Sequence, residues 1–313
     1  MKSTVGSDAA DTSPLRVVIG PTAAGKSAVA MRLAMRRNLS IVSADSRQIY
    51  RGFDIGTAKP SAADREAVPH FGVDVVSPEQ RFSAHAWASD AATWIIESRK
   101  LHREPVIVGG TGFYIRALAH PIDEVPELDP ARRKAFEPLL AALDRETLER
   151  WCRRLDPARA HLGRTQLVRA IETVLISGRR LSDTFTSGSP SRNVRYLVVD
   201  PGAALAERIE RRIADMIERG WVDEVRELMS LVSPEAPAWR ASGYEALREH
   251  VEGRVSLAAA SQRVVIETKQ YAKRQRTWCR HQLSDGHVTR IDPDAPEVDE
   301  LVDEWWDHNG ASR

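Results

Sequence analysis

The residues best placed to do chemistry are Gly20, Pro21, Thr22, Ala23, Ala24, Gly25, Lys26 and Ser27, which fit G-x-x-x-x-G-K-[ST] at every position. Such a turn points successive backbone N–H groups into one concavity. The helix that follows adds the partial positive charge of its N-terminus, so the turn holds a phosphate group. Lys26 is placed to reach the outer phosphate, and the Ser27 hydroxyl to hold Mg²⁺. A chance glycine-rich turn is the bland alternative. The flanks disfavour it, because an apolar run at 15–19 precedes the turn and Val29, Leu33 and Ala34 follow at helical spacing. The loop says that phosphate is bound, not whose.

A carboxylate comes next. The run 40–43 reads as a second buried strand and leads into Ala44-Asp45-Ser46. Ligands of open α/β sheets sit at the carboxyl ends of strands, which makes Asp45 a candidate; taken alone, it reads equally well as an N-cap or turn residue. Asp200 closes the run 196–199 in a form that imitates a metal-associated carboxylate. With Pro201 directly after it, Asp200 ranks below Asp45.

The elements that must position these groups alternate. Strand-like runs at 15–19, 40–43, 68–76, 105–108 and 196–199 are separated by helical patterns at 27–37, 83–103 and 205–219. That order predicts an α/β fold, a parallel sheet with helices on both faces. Between 120 and 190 the character changes to charged helical segments at 132–143, 145–155 and 166–176 with no strand, closed by a loose run at 187–191. The expected division is a tail at 1–13 without order, a core of 14–119 and 191–313, and an inserted helical module at 120–190. A last long helix is expected at 256–280. Lys269, Lys273, Arg276 and Arg280 recur on it at spacings of four, three and four, a basic stripe suited to phosphates or, more blandly, a solvated face.

Bulk properties set the bounds. Forty-five Lys and Arg against 44 Asp and Glu exclude a global field that would attract nucleic acid or membrane. Cys152 and Cys279 are far apart and lack metal-ligand spacing, which suggests a reducing compartment and no structural zinc. No apolar run approaches eighteen residues, and 1–13 lacks the apolar stretch of a signal peptide, so a cytoplasmic protein with no membrane partner is expected.

The stretch DSRQIYRGFDIGTAKP at 45–60, about twenty residues after the phosphate loop, resembles the tRNA dimethylallyltransferase family. VGGTGFYIRAL at 108–118, the RI-x-x-R pattern at 208–212, SGYE at 242–245 and QYAKRQRTW at 270–278 resemble it as well, so the likeness runs from 15 to about 280. No cysteine/histidine zinc module follows, as in the bacterial form. The chain departs from the family at 162–166, where LGRTQ stands in place of Asn-Asp-Pro and an arginine, and at Cys279, where a bulky apolar residue is usual.

The resemblance implies transfer of a dimethylallyl group from dimethylallyl diphosphate to N6 of the adenosine 3′-adjacent to the tRNA anticodon. The implied catalytic set is Asp45, Lys26, Ser27 and Arg212, with Arg212 on the leaving diphosphate. Contact with the anticodon arm falls by resemblance to Asp45, Ser46, Arg47, Gln48, Thr111, Arg133, Gln166, Arg169, Arg240, Gly243, Tyr244, Lys273, Arg274 and Gln275. Mg²⁺ is the expected cofactor, with Ser27 its ligand, and a monomer is expected. A P-loop kinase, an isopentenyltransferase acting on free adenine nucleotides and a non-enzymatic RNA-binding switch remain the alternatives.

Overall fold

Short apolar runs covered on both faces can only be strands of a buried parallel sheet, and the burial of Leu15–Ile19 (β1), Ser40–Ala44 (β2) and Pro105–Gly109 (β4, below) follows that rule. The computed structural model describes residues 14–120, 128–185, 192–283 and 287–308; the tail at 1–13 and the run at 187–191 named above lie outside them. After β1 comes Lys26–Arg37 (α1), then β2, Ala62–Ala67 (α2), His70–Phe71 (β3), Ala84–Lys100 (α3), β4 and Gly112–Ala119 (α4). Pro130–Ala142 (α5), Arg145–Leu155 (α6) and Arg164–Ser177 (α7) follow. The chain then continues through Val194–Val199 (β5), Leu205–Glu218 (α8), Trp221–Leu231 (α9), Tyr244–Val251 (α10), Leu257–Gln282 (α11), Val288–Ile291 (β6) and Val298–Asp307 (α12). The six strands pair in parallel in the order β3-β2-β4-β1-β5-β6.

The chain divides into two compact units, Met1–Ala119 with Arg192–Arg313, and His120–Ser191. The first holds the sheet. Its core gathers Val17, Val18 and Ile19 of β1, Leu33 of α1, Val106 and Ile107 of β4 and Leu197 of β5 with Trp87, Tyr114, Trp221 and Tyr244 from the helices. The second unit has a small core of its own, Leu140, Leu148, Cys152, Leu167, Ala170 and Ile171. Its helices are capped locally. Asp129 accepts from the Ala131 and Arg132 amides, and Asp144 from that of Thr147. The Arg164 guanidinium donates to the carbonyls of Leu143 and Ala141 at the end of α5.

One expectation changes, and two elements were not anticipated. The strand expected over 68–76 shrinks to two residues, because Gly72 and Asp74 turn the backbone left-handed at φ 75° and 56°; Val76 is left with a single bridge to Tyr50. β6 is a short edge strand whose half-exposed VTRI run carries too little apolar signal to stand out. The acidic C-terminal stretch forms α12, an amphipathic helix that buries Val298, Val302, Trp305 and Trp306. Its Asp299, Asp303 and Asp307 pair with Arg32, Arg36 and Arg37 of α1. The segregated charge is thus met within the fold.

These pairs are half-exposed, so each contributes at most about 1 kcal/mol. Leu33, fully buried on α1, contributes more. Leu33→Ala is expected to cost about 2–5 kcal/mol, and Asp299→Asn less than about 1 kcal/mol. Urea unfolding monitored by tryptophan fluorescence measures both, as a lower midpoint at unchanged slope.

Candidate active site

The turn between β1 and α1 has Ala23 and Gly25 in left-handed conformations, φ 61° and 90°, among right-handed and extended neighbours. Such alternation turns backbone N–H groups toward a common centre. The loop is braced from a distance. Gln275 of α11 accepts from the Thr22 amide at 2.8 Å and donates to the Gly110 carbonyl at 2.9 Å, tying the loop to the end of β4. Gly110 must be glycine for this contact, since a Cβ there would lie 2.2 Å from Gln275 Nε2. Lys26 folds back to donate to the Pro21 carbonyl at 2.7 Å.

A cavity of about 260 Å³ opens at the carboxyl ends of the central strands, with Lys26, Ser27, Asp45, Arg212 and Tyr271 in its wall. A smaller one of about 80 Å³ shares Thr22, Asp45, Thr57, Arg212 and Tyr271 with it; Ile209, Ile213, Met216, Trp221 and Val264 line it as well, with Arg47, Ser242 and Thr268. The larger chamber has slightly more polar surface and the smaller more apolar surface, and Asp45 and Arg212 lie in the walls of both. Burial pushes the Lys26 ammonium down to about 8, Arg212 pushes the same way, and Asp45 opposes both. Burial also lowers Arg212, again with Asp45 opposing. Tyr271 is pushed up to about 12, chiefly by burial, so its phenol stays neutral. The site is thus short of negative charge. It can take a polyanion such as a diphosphate, with the Asp45 carboxylate at its edge.

The fold brings Lys26, Ser27, Asp45 and Arg212 to one cavity. Asp45 also serves its bland role, accepting from the Arg47 amide at 2.9 Å. The Ser46 amide donates to Thr111 Oγ1 at 3.0 Å, so these two residues join the ends of β2 and β4. Gln48 is a brace for its own loop, accepting from Ser43 Oγ and donating to the carbonyls of Thr57 and Ala58. Burial raises the Tyr50 phenol above its ordinary value, and the charges of Arg47, Arg81 and Arg240 oppose it.

Several of the residues expected at the RNA have partners within the fold. Gln275 is the buried brace just described. Tyr244 is fully buried, packs on Phe53 at 4.8 Å and donates to Glu224 at 2.6 Å. Gly243 sits at φ 89°, and a Cβ there would lie 2.4 Å from the Trp221 ring, so it serves packing. Gln166 accepts from the Gly163 amide at the start of α7. Arg133 and Arg169 both approach the buried Glu172 carboxylate, at 3.4 and 3.9 Å. The basic stripe is also divided. Lys269 pairs with Glu210, and Arg276 grips the Asp200 carboxylate, which occupies that candidate metal ligand. Lys273, Arg274 and Arg280 remain exposed.

Sequence reasoning missed Glu224 and Lys59. The Lys59 side chain is 2% exposed and bonded to Asp54 and Asp74, and it lies in the wall of the larger cavity. Its place in the 45–60 loop was a signal. Glu224 had none, since a glutamate on an amphipathic helix is ordinarily solvated.

The family model described as IPP transferase matches residues 48–282, and that described as isopentenyl transferase matches residues 13–71. A tRNA dimethylallyltransferase of Mesorhizobium japonicum is 41% identical over 85% of this chain and 86% of its own length. That of Deinococcus radiodurans is 38% identical over 90% and 94%. Among solved structures, the tRNA isopentenylpyrophosphate transferase of Bacillus halodurans superposes with a TM-score of 0.66 at 30% identity, covering 94% of each chain. A eukaryotic dimethylallyltransferase acting on tRNA reaches a TM-score of 0.74 over 95% of this chain and 76% of its own; at 23% identity that likeness is one of fold.

Because the folded state depresses the Lys26 pKa, charged Lys26 costs stability below about pH 8, and the cost fades as pH rises from there toward the unfolded value of 10.5. Lys26→Met should therefore raise the unfolding temperature at pH 7, with a gain that shrinks as pH rises through 8 to 10. In the unmutated protein, inorganic diphosphate bound at pH 8.5 should take up protons, seen as a buffer-dependent heat in calorimetry.

Proposed function

The chain belongs to the IPP transferase family, and from that premise we propose that it transfers a dimethylallyl group from dimethylallyl diphosphate to N6 of the adenosine 3′-adjacent to the anticodon, in tRNAs that read codons starting with U. The observation that carries the reading is the meeting of Lys26, Arg212 and Asp45 in one cavity at the ends of β1 and β2. The match of the IPP transferase model also extends through the insertion to the basic helix. The isopentenyl transferase match stops at residue 71, which disfavours a small-nucleotide substrate. Relatives bearing the name tRNA dimethylallyltransferase disfavour a kinase equally.

The residues divide the work by charge. The amides of the phosphate loop, Lys26 and Arg212 bind the diphosphate. The smaller chamber beside them, lined in part by Ile209, Ile213, Met216 and Val264, suits a branched five-carbon tail. As the allylic C–O bond breaks, negative charge grows on the leaving diphosphate, and preorganised cations in a dry site stabilise it. N6 of adenine forms the new bond to the carbon that the diphosphate leaves. Its surplus proton passes to the Asp45 carboxylate. Mg²⁺ fits the site, because the Ser27 hydroxyl supplies a hard oxygen in the same cavity as Lys26 and Arg212. Among the described residues no cluster of three His, Cys, Asp or Glu is present, and a magnesium ion held mainly by diphosphate oxygens does not need one. When bound it supplies neutralising charge to the leaving group.

For the adenine to reach a buried cavity it must leave its stack. Lys273 and Arg274 on the exposed face of α11, Arg47 and Arg240 near Tyr50, and the insertion are the parts suited to grip the RNA backbone. Between 128 and 185 the insertion carries twelve Arg and Lys against eight Asp and Glu. The enzyme is read as a monomer acting in the cytoplasm; among the described residues no helix is long and apolar enough to cross a membrane.

Incubation with labelled dimethylallyl diphosphate, Mg²⁺ and unmodified tRNA tests the whole reading: the label is expected in the tRNA at the adenosine beside the anticodon. Asp45→Asn keeps the shape and removes the basicity, so single-turnover transfer should fall by about a hundred- to ten-thousand-fold, while diphosphate binding holds. Recovery of the rate with added Mg²⁺ would make Asp45 a metal ligand instead. Lys273→Ala and Arg274→Ala should each weaken tRNA binding and lower the salt slope of its logarithm by about 0.7–0.9. Arg276→Ala should leave that slope unchanged and lower stability, since its partner is Asp200.

A further inference from the structure

Residues 53–60 form part of both chambers. Gly56 and Thr57 line the smaller one, and 57–60 line the larger one. Inside, the loop is knitted by its own bonds, Thr57 Oγ1 to the Phe53 carbonyl at 2.6 Å and Lys59 N–H to the Asp54 carbonyl at 3.1 Å. From outside, Gln48 donates to the carbonyls of Thr57 and Ala58, and a side chain of α9 holds residues 54–56. Glu224, on the first turn of α9, accepts from the amides of Asp54 at 3.0 Å and Ile55 at 2.6 Å through Oε2. Through Oε1 it accepts from the Gly56 amide at 3.4 Å and the Tyr244 hydroxyl at 2.6 Å.

Four donors converge on one carboxylate that takes part in no ion pair among the described residues. Three consecutive N–H groups aimed at one point form an anion nest, and here the protein supplies the anion. Charge-assisted bonds of this kind are about twice as strong as neutral ones. The fourth donor is secured by burial, which together with the Glu224 charge pushes the Tyr244 phenol well above its ordinary value, so it remains protonated and donating.

We propose that Glu224 is a positioning residue for prenyl transfer: its carboxylate fixes the loop at 54–56 and thereby the wall, Gly56 to Pro60, against which the allylic diphosphate is aligned. The inference rests on the donor site assigned under the proposed function. It accounts for a carboxylate placed where it touches no substrate. The interaction is specific for charge and shape. In Glu224→Gln the charge is lost and one oxygen becomes an NH₂ that faces backbone N–H donors, either the Asp54 and Ile55 amides or the Gly56 amide; only the Tyr244 hydroxyl can reverse and accept. Donor cannot bond donor, so one side of the nest opens and the loop shifts.

The test is kinetic, on the full chain, with folding checked by circular dichroism and thermal melting. The unmutated protein is first shown to transfer label from dimethylallyl diphosphate to tRNA; failure there sinks the assigned activity. With that in hand, folded Glu224→Gln, assayed far below its melting temperature, should lose on the order of a hundredfold in single-turnover rate, the penalty typical of a misplacement near 1 Å. Its KM for the diphosphate donor should rise, while tRNA affinity stays within about twofold, because Glu224 contacts nothing on the RNA-facing residues. Wild-type rate and KM with only a lower melting temperature would reduce Glu224 to a structural contact and overturn the inference. So would a loss of tRNA affinity equal to the loss of rate. Should Glu224→Gln not fold, Tyr244→Phe decides. It removes one donor and keeps the three amides, so a donor KM raised several-fold supports the proposal, and an unchanged KM overturns it.

Discussion

Everything in the site depends on two cations that the fold keeps short of negative charge. Lys26 and Arg212 sit in one desolvated cavity, and Arg212 adds to the burial that lowers the Lys26 ammonium to about 8. Asp45 offsets part of that strain but cannot offset it all, because it is one carboxylate facing two cations and is already bonded to the Arg47 amide. The folded chain is therefore arranged at a cost that only a polyanionic ligand relieves. An arrangement of that kind binds most tightly when the anion carries most charge, which for an allylic diphosphate is after the C–O bond has begun to break.

Holding such a site open requires that its walls not collapse onto it, and the braces come from outside the sheet. Gln275 links the phosphate loop to β4, Thr111 links β4 to the end of β2, and Glu224 gathers the loop at 54–56. Two of the three come from C-terminal helices that pack on the sheet from far along the chain. The N-terminal half thus supplies Lys26 and Asp45, and the C-terminal half supplies Arg212 and two of the three braces. This division explains why the segments that resemble the family are spread from residue 15 to 280 rather than gathered at the phosphate loop.

What could be read from the sequence followed the same division. The phosphate loop, β2 with Asp45, β4 and the helix of the RI-x-x-R pattern were legible because strand–turn–helix order and local spacing determine them. β3 and β6 were not: one is cut to two residues by left-handed turns and the other is a half-exposed edge. The packing roles of Gln275, Gly243 and Tyr244 were not legible for a different reason. A polar residue in a motif suggests a ligand, and only tertiary packing reveals that its partner is another part of the chain. Arg276 is the clearest case. Its helical spacing put it on the basic stripe, and nothing local could show that Asp200, 76 residues away, would claim it.

That pairing also bears on how a chain of net charge +1 can address RNA. Many of its arginines and lysines are paired within the fold: α1 against α12, Lys269 against Glu210, Arg276 against Asp200. Matched pairs contribute little to an external field. Exposed basic residues outside these pairs include Lys273 and Arg274 on α11, and others lie near Tyr50 and in the insertion. A uniformly basic surface would bind any phosphate backbone and release it slowly. Confining the unpaired charge to a few separated places makes affinity depend on touching several at once, and an RNA that presents backbone at all of them is selected by shape before any base is read. Specificity of that kind is a property of where charge has been neutralised as much as of where it is left.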